Sequence, residues 1–349
     1  MAPCGGFTPW QWLLLLLLAY VALTEAVRLW AGLVWAERVA LLLGGLAVWS
    51  FINGRFVFAF YHAFVTSLRV KNLPVWTPQA EHLLILAPHP DDEVLAAGGQ
   101  VQEVLRQGGR VSVVYLTSGD GFDLAAGSPL SPGALKRLAL RRMVEARQGA
   151  EALGLTRKDL YFLGFPDQGL YELFTAHYLV PYTSPYTGLS RVVYPGSYRL
   201  DTPYTGRALE SLLEELLSKL RPDRILLPSP LDAHRDHRAT AHFGMRAAAE
   251  LGMERRLTYY LIHGGYEYPL PKGLHPRLPL YPPPRGRGLD WVRVELSEEA
   301  VLAKEKAIRA HRSQMRLLGR FLLAFVRRNE LFSTLPVPAR ESLLEETFT

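Results

Sequence analysis

The stretch HLLILAPHPDDEVLAAGGQ, residues 82–100, decides the fold. Leu83 to Ala87 is a continuous apolar run, of the length expected for a strand buried on both faces of a parallel sheet. Pro88, His89, Pro90, Asp91, Asp92 and Glu93 follow, and Val94 to Ala97 opens a helix with the acids in its first turn. One imidazole and three carboxylates are thus crowded where an open α/β sheet places its ligand. Such groups are costly to pack together unless a cation or solvent compensates them. His89 and Asp92, three apart, share a face in a helical turn and can reach one ion. Imidazole plus carboxylate suits zinc or a similar divalent metal. A solvated loop whose acids cap a helix is the plainer alternative. A histidine one proline from the acids, directly after a buried strand, favours the metal.

Outward from this stretch, strand and helix alternate, which argues for a mainly parallel sheet covered on both faces. Val94 to Gln107 reads as a helix ended by Gly108 and Gly109, and Arg110 to Leu116 as a second strand leading into Thr117, Ser118, Gly119, Asp120 and Gly121. Leu135 to Leu153, Ala208 to Leu220 and His237 to Leu251 read as helices. Asp159 to Leu163, Arg224 to Leu227, Leu257 to Ile262 and Trp291 to Leu296 read as strands, the last of them followed by Ser297 as a helix cap. The strand at 224–227 ends in a second cluster, PSPLDAHRDH, residues 228–237, where His234 and His237 are again three apart. In a parallel sheet both clusters leave the same edge. Two such loops can supply His, Asp and His to one metal and leave a position open for water. The first loop lacks GxGxxG and puts negative charge where a pyrophosphate would sit, which argues against a dinucleotide-binding oxidoreductase.

The 349-residue chain can hold one large domain plus an appendage. Met1 to Thr24 carries no charged side chain, and Leu13 to Leu18 is an unbroken leucine run between Trp10 and Trp12 on one side and Arg28 on the other. This pattern reads as a bilayer-spanning helix with interfacial anchors. A cleaved signal peptide is disfavoured because no Lys or Arg precedes the apolar run. A second apolar stretch, Val39 to Gly54 and Phe56 to Val65, spans if Arg55 snorkels and is otherwise interfacial. The expectation is a membrane anchor over 1–71 with helices at about 10–27 and 39–60, a linker over 72–80, and a soluble domain over 81–349. Arg55, Arg69 and Lys71 favour a cytoplasmic domain by the positive-inside rule. The single cysteine, Cys4, excludes an intrachain disulfide framework. The fold class expected is therefore α/β, a Rossmann-like, mainly parallel sheet with helices on both faces, preceded by transmembrane helices.

PHPDDE after a buried strand, TSGDG after the second and AHRDH after the fourth together resemble the LmbE-like family of zinc-dependent de-N-acetylases, which includes the N-acetylglucosaminyl-phosphatidylinositol de-N-acetylase. Phe165 to Leu170 (FPDQGL), Arg142 with Glu145, Lys304 with Ala307 and Ile308, and Ser313 with Gln314 agree with the family pattern. The likeness runs from about Leu83 to Gln314 and omits the apolar N-terminal segments. It implies that His89, Asp92 and His237 hold Zn²⁺, with Asp91 as the general base. It also implies that His234 is a protonated imidazole facing the oxyanion, held and charged by Asp236. Glu93 is expected to cap the helix or brace a histidine. Arg142 and Asp167 are candidates for substrate contacts. His177, His242, His263, His275 and His311 have no pattern that lifts them above ordinary polar residues.

Two stretches depart from compact family members. The first, Tyr171 to Tyr204, carries Tyr178, Tyr182, Tyr186, Tyr194 and Tyr198, and the second runs from His263 to Leu289. They read as substrate-binding walls, with surface packing as the alternative. Leu317 to Val326, with its arginines, reads as an amphipathic segment for anionic lipid or for the core. The function expected is a membrane-anchored, zinc-dependent hydrolase that removes the N-acetyl group from an N-acetylglucosamine-type sugar, lipid-linked and held at the bilayer. No nucleic-acid partner is expected. A deacetylase of a soluble N-acetylglucosaminide and a catalytically inactive membrane scaffold are the alternatives, the latter predicting no bound metal.

Overall fold

β1 (His82–Ala87) occupies the middle of the sheet, with all six residues buried. A computed structural model describes residues 9–32, 34–121, 131–265, 267–334 and 336, so Cys4 lies outside the described residues. Leu83, Ile85 and Ala87 enter one hydrophobic cluster while Leu84 and Leu86 enter another, so the continuous apolar run serves both faces of one sheet.

α3 (Asp92–Arg106) leads from β1 to β2 (Arg110–Thr117), and α4 (Pro132–Ala152) leads to β3 (Leu160–Phe165). α5 (Leu170–Phe174) and α6 (Gly206–Leu220) precede β4 (Arg224–Pro228), and α7 (Arg235–Glu250) precedes β5 (Leu257–Tyr260). β6 (Trp291–Glu295), α8 (Glu298–Ala310), α9 (Arg312–Leu322) and β7 (Asn329–Ser333) complete the domain. The strand order is β3-β2-β1-β4-β5-β7-β6. The first five strands pair in parallel, whereas β7 runs antiparallel to both β5 and β6. Since β1 pairs with both β2 and β4, the strand order reverses there, and the loops after β1 and β4 open side by side at the crevice.

Sequence reading ended the sheet at the strand near 291, but β7 follows it. Its five residues, NELFS, are all buried, and their mixed polarity hides a strand whose polar side chains have buried partners. Ser297 does cap α8, accepting from the Ala300 amide at 3.2 Å.

The chain divides into two compact units, Met1–Tyr61 and His62–Thr349. The first contains α1 (Pro9–Ala31) and the start of α2 (Trp35–Val70). Among the described residues no helix is long and apolar enough to cross a membrane, which corrects the expectation of two spans. Glu25 and Arg28 interrupt α1, while Glu37, Arg38 and Arg55 interrupt α2. Glu25 and Arg38 form an ion pair at 2.6 Å inside this unit, and Leu13 to Leu18 are exposed. In the second unit, residues 74–76 run along β6, with the Arg293 amide donating to Pro74 O at 2.9 Å and the Trp76 amide to Arg293 O at 2.8 Å.

Parts of the tyrosine-rich stretch after β3 pack inward. Tyr194 and Tyr204 are buried, and the Tyr198 hydroxyl donates to Glu215 at 2.7 Å. Tyr268, Leu280 and Tyr281 of the later stretch join the core likewise. Packing, the alternative reading, accounts for Tyr194, Tyr204, Tyr268 and Tyr281.

Candidate metal centre

The loops after β1 and β4 bring His89, Asp92 and His237 together, each less than a tenth exposed. Asp92 Oδ2 lies 3.1 Å from His89 Nδ1 and 3.2 Å from His237 Nε2. With metal–ligand bonds of about 2.0–2.1 Å, neighbouring donors on a tetrahedron sit roughly 3.3 Å apart, and both distances from Asp92 Oδ2 are close to that spacing. His237 Nε2 is buried and makes no aligned hydrogen bond, despite its closeness to Asp92. That orphaned nitrogen fits a metal ligand. Burial alone would lower both imidazoles. The Asp167, Asp236 and Asp92 carboxylates hold His89 well above its ordinary value instead, and Asp232 and Asp92 raise His237 to about 10. The positive charge that the carboxylates draw in as protons is charge a divalent cation can supply.

The far nitrogen of each imidazole meets carboxylates. His89 Nε2 is 3.1 Å from Asp167 Oδ1 and 3.3 Å from Asp236 Oδ2, and His237 Nδ1 is 3.1 Å from Asp232 Oδ2. Such partners fix the ring and its tautomer. Asp232, to which sequence reading gave no role, also accepts the amides of His234 (2.8 Å), Ile262 (3.0 Å) and His263 (3.1 Å). Its signal was its place in the His-containing loop, five residues before His237. Nitrogens and oxygens of His89, His234 and His237, of Asp232, His237 and His263, and of His89, Asp167 and Asp236 each lie within 4.8 Å of one another. The backbone bonds of Asp232 and Asp236 make these two acids supports for the histidines.

The expected pairing of His234 with the Asp236 carboxylate is not what the structure shows. Asp236 accepts the amides of Gln168 at 2.6 Å and Leu170 at 3.1 Å, and its side chain faces His89. His234 caps α7 through Nδ1, which accepts the Asp236 amide at 3.2 Å. Burial, then the neighbouring His89, His237 and His263, press its value down to about 3. A neutral ring accepting at Nδ1 carries its proton on Nε2. These surroundings favour the neutral ring, which would donate from Nε2, whereas a protonated ring was expected.

Asp91 adopts φ 140°, a backbone region L-residues rarely occupy, where strain of about 1–3 kcal/mol collects. Glu93 holds it there, accepting the Asp91 amide at 3.0 Å while its other oxygen accepts from the Tyr115 hydroxyl at 2.9 Å. Burial and the Asp91 charge push Glu93 up to about 8. Burial likewise lifts Asp91 to about 7, against the pull of Arg142. Arg142 is buried and engaged: Nη2 donates to Pro90 O at 2.9 Å and Asp91 Oδ2 at 3.3 Å, and Nη1 to Gly119 O at 3.2 Å. Its contacts brace Asp91, and it also lines the cavity over the cluster, where a substrate contact was expected. Gly119 of TSGDG has φ +71°, and a Cβ there would collide with the Arg142 guanidinium. Asp167 is likewise tied to His89 and to the Gly121 amide at 3.1 Å.

A cavity of about 220 Å³ opens over this cluster. Asp91, Arg142, Asp167, Gln168, His234 and His263 line it together with the apolar Ile262, Leu318, Phe321 and Leu322. His263, set aside in the sequence, sits at the same sheet edge just after β5, its ring 4.8 Å from that of His237. α9 turns Phe321 and Leu322 to the cavity, and Leu322 with Phe325 and Val326 after it also joins the core, while Leu317 and Leu318 stay exposed. Tyr186 reaches the site through its hydroxyl, 2.9 Å from Gln168 Oε1.

Fold and site define an α/β protein with a candidate divalent-metal centre at the switch point of a parallel sheet. Residues 84–248 match the family described as PIG-L, GlcNAc-PI de-N-acetylase. It is 28% identical over 174 residues to a diacetylchitobiose deacetylase of Thermococcus kodakarensis, across 49% of this chain. That alignment spans 50% of the relative's length. Among solved structures, the N,N'-diacetylchitobiose deacetylase of Pyrococcus horikoshii shares the fold, with TM-score 0.50, 22% identity, 81% of this chain covered and 97% of that one. A conserved protein of Thermus thermophilus gives TM-score 0.45 at 22% identity, covering 75% and 98% of the two chains.

Proposed function

We propose that this chain is a metal-dependent deacetylase that hydrolyses the N-acetyl amide of an amino sugar, with Zn²⁺ held by His89, Asp92 and His237. The observation that carries the reading is Asp92 Oδ2 lying within 3.2 Å of two imidazole nitrogens, with the strained Asp91 beside it. A divalent cation bound there supplies Lewis acidity toward the amide carbonyl and makes water more acidic. Asp91, with its value near 7, accepts the water proton close to the pH at which a base is most effective. Arg142 and Glu93 hold Asp91 in position. The His234 Nε2–H donates to the oxygen on which negative charge develops, an effect of roughly 3 kcal/mol for one such donor. The apolar wall of α9 shelters the acetyl methyl.

The substrate, on this reading, is an N-acetylglucosaminyl lipid at a membrane, with the catalytic domain on the cytoplasmic side. The exposed leucines of α1 and the basic residues Arg55, Arg69 and Lys71 support it. A second reading, a soluble N-acetylated disaccharide, rests on the absence of a long apolar helix among the described residues and on the name of the Thermococcus relative. Acetate release by the zinc-loaded full chain, measured on a lipid-linked N-acetylglucosaminide and on diacetylchitobiose, decides between them. Faster release from the lipid-linked sugar, with the chain floating on vesicles, supports the first reading. Release from neither sugar overturns both.

A further inference from the structure

α3 is broken at Ala97, where φ −139° and ψ 15° leave the helical region. An unbroken helix would join the Gly99 amide to the Leu95 carbonyl. Here a side chain takes each partner. Lys304 Nζ donates to Leu95 O at 2.9 Å, and Glu330 accepts the amides of Gly99 at 2.8 Å and Gln100 at 2.7 Å. The two side chains meet at 2.6 Å, and both are fully buried. Lys304 comes from α8 and Glu330 from β7, both beyond residues 84–248 that match the family. Gly98 and Gly99 make room for the approach: a Cβ on Gly98 would lie 3.1 Å from Lys304 Cγ, and one on Gly99 would collide with Leu296.

We infer that the Lys304–Glu330 pair positions the metal centre, by fixing the break that sets the Asp92–Ala96 turn apart from the rest of α3. A straight helix would satisfy Leu95 and Gly99 with no side chain at all. A buried ion pair is often no more stabilising than apolar residues of similar volume, so stability alone does not account for it. What the pair does is splice two charged side chains into an interrupted backbone hydrogen-bond ladder, beginning at Leu95, six residues from His89 and one turn from Asp92. The C-terminal strand thereby reaches the ligand turn through a single carboxylate and a single ammonium. The inference rests on the metal-centre reading, and its test separates the two.

In the full-length chain, Zn²⁺ affinity is measured by competition with a chromogenic chelator for wild type, Glu330→Gln, Lys304→Met and the double variant. Leu213→Ala, in the core cluster on the other sheet face, is the stability control. The expected result is metal binding weakened about 10–100-fold in the double variant, as for loss of groups that orient ligands. kcat falls with KM little changed, while Leu213→Ala lowers Tm and leaves metal affinity as it was. A folded double variant with wild-type metal affinity overturns the inference alone. A wild type that binds no metal overturns the metal centre and the inference with it. Should the double variant not fold, Glu330→Asp, which keeps the charge and shortens its reach, gives the same readout.

Discussion

Replacing Asp232 by Asn probes a residue that touches the proposed metal only through His237. Asp232 Oδ2 faces three donors, His237 Nδ1 at 3.1 Å, the Ile262 amide at 3.0 Å and the His263 amide at 3.1 Å, while Oδ1 accepts the His234 amide at 2.8 Å. Asn has one acceptor oxygen. Turned to keep the three donors, it sets its NH₂ against the His234 amide, and one buried donor is stranded at a cost of about 1–3 kcal/mol. The imidazole also loses the carboxylate that fixes its tautomer. Loss of such a partner weakens metal binding by about 10–100-fold, equivalent to roughly 1.4–2.7 kcal/mol. Chelator competition reads the affinity, and urea denaturation of the metal-free protein reads the stability. Wild-type metal affinity in a folded Asp232→Asn protein would refute the role of His237 as a ligand braced from behind.

Asp91→Asn is expected to reduce kcat by about 10²–10⁴-fold with metal content retained, since the variant keeps the ligands and loses the base; metal analysis beside acetate release checks it. Burial, with Asp167 nearby, pushes Asp120 up to about 6 from its ordinary 3.8, so the folded state holds this proton more tightly than the unfolded chain. Its contribution to stability is complete below about pH 3.8 and is lost as pH rises through 6, by about 3 kcal/mol at 1.36 kcal/mol per pH unit. Denaturation curves of Asp120→Asn should accordingly be flatter across this window, and parallel pH profiles for the two proteins would contradict the assignment. Gly99→Ala is expected to cost about 1–3 kcal/mol of stability, because its Cβ would overlap Leu296 in a packed core, and thermal denaturation reads the loss.

The parallel half of the sheet was legible because each of its strands is apolar on both faces and ends in a turn. Leu83 to Ala87 carries that signal, and the clusters at 88–93 and 228–237 follow from strand order. β7 was hidden because Glu330 and Asn329 are polar, and only their buried partners make a strand of them. The helix break at Ala97 was hidden too, since alanine is a good helix former and tertiary contacts override its propensity. His263 and Asp232 gain their meaning from β5 lying next to β4, a pairing that no local pattern announces. The His234–Asp236 expectation went astray because proximity in sequence is not contact. At the start of α7 the Asp236 side chain turns to the 168–170 loop and leaves its backbone amide to His234. The leucine run at 13–18 is one stretch of α1, whose later turns carry Glu25 and Arg28.

X-ray absorption at the zinc edge, on the full chain loaded with one equivalent of Zn²⁺, tests the central proposal most directly. Two imidazole nitrogens and a carboxylate oxygen at about 2.0–2.1 Å are expected, with one imidazole lost in His237→Ala. A zinc shell of oxygen alone, or one unchanged in His237→Ala, would contradict it.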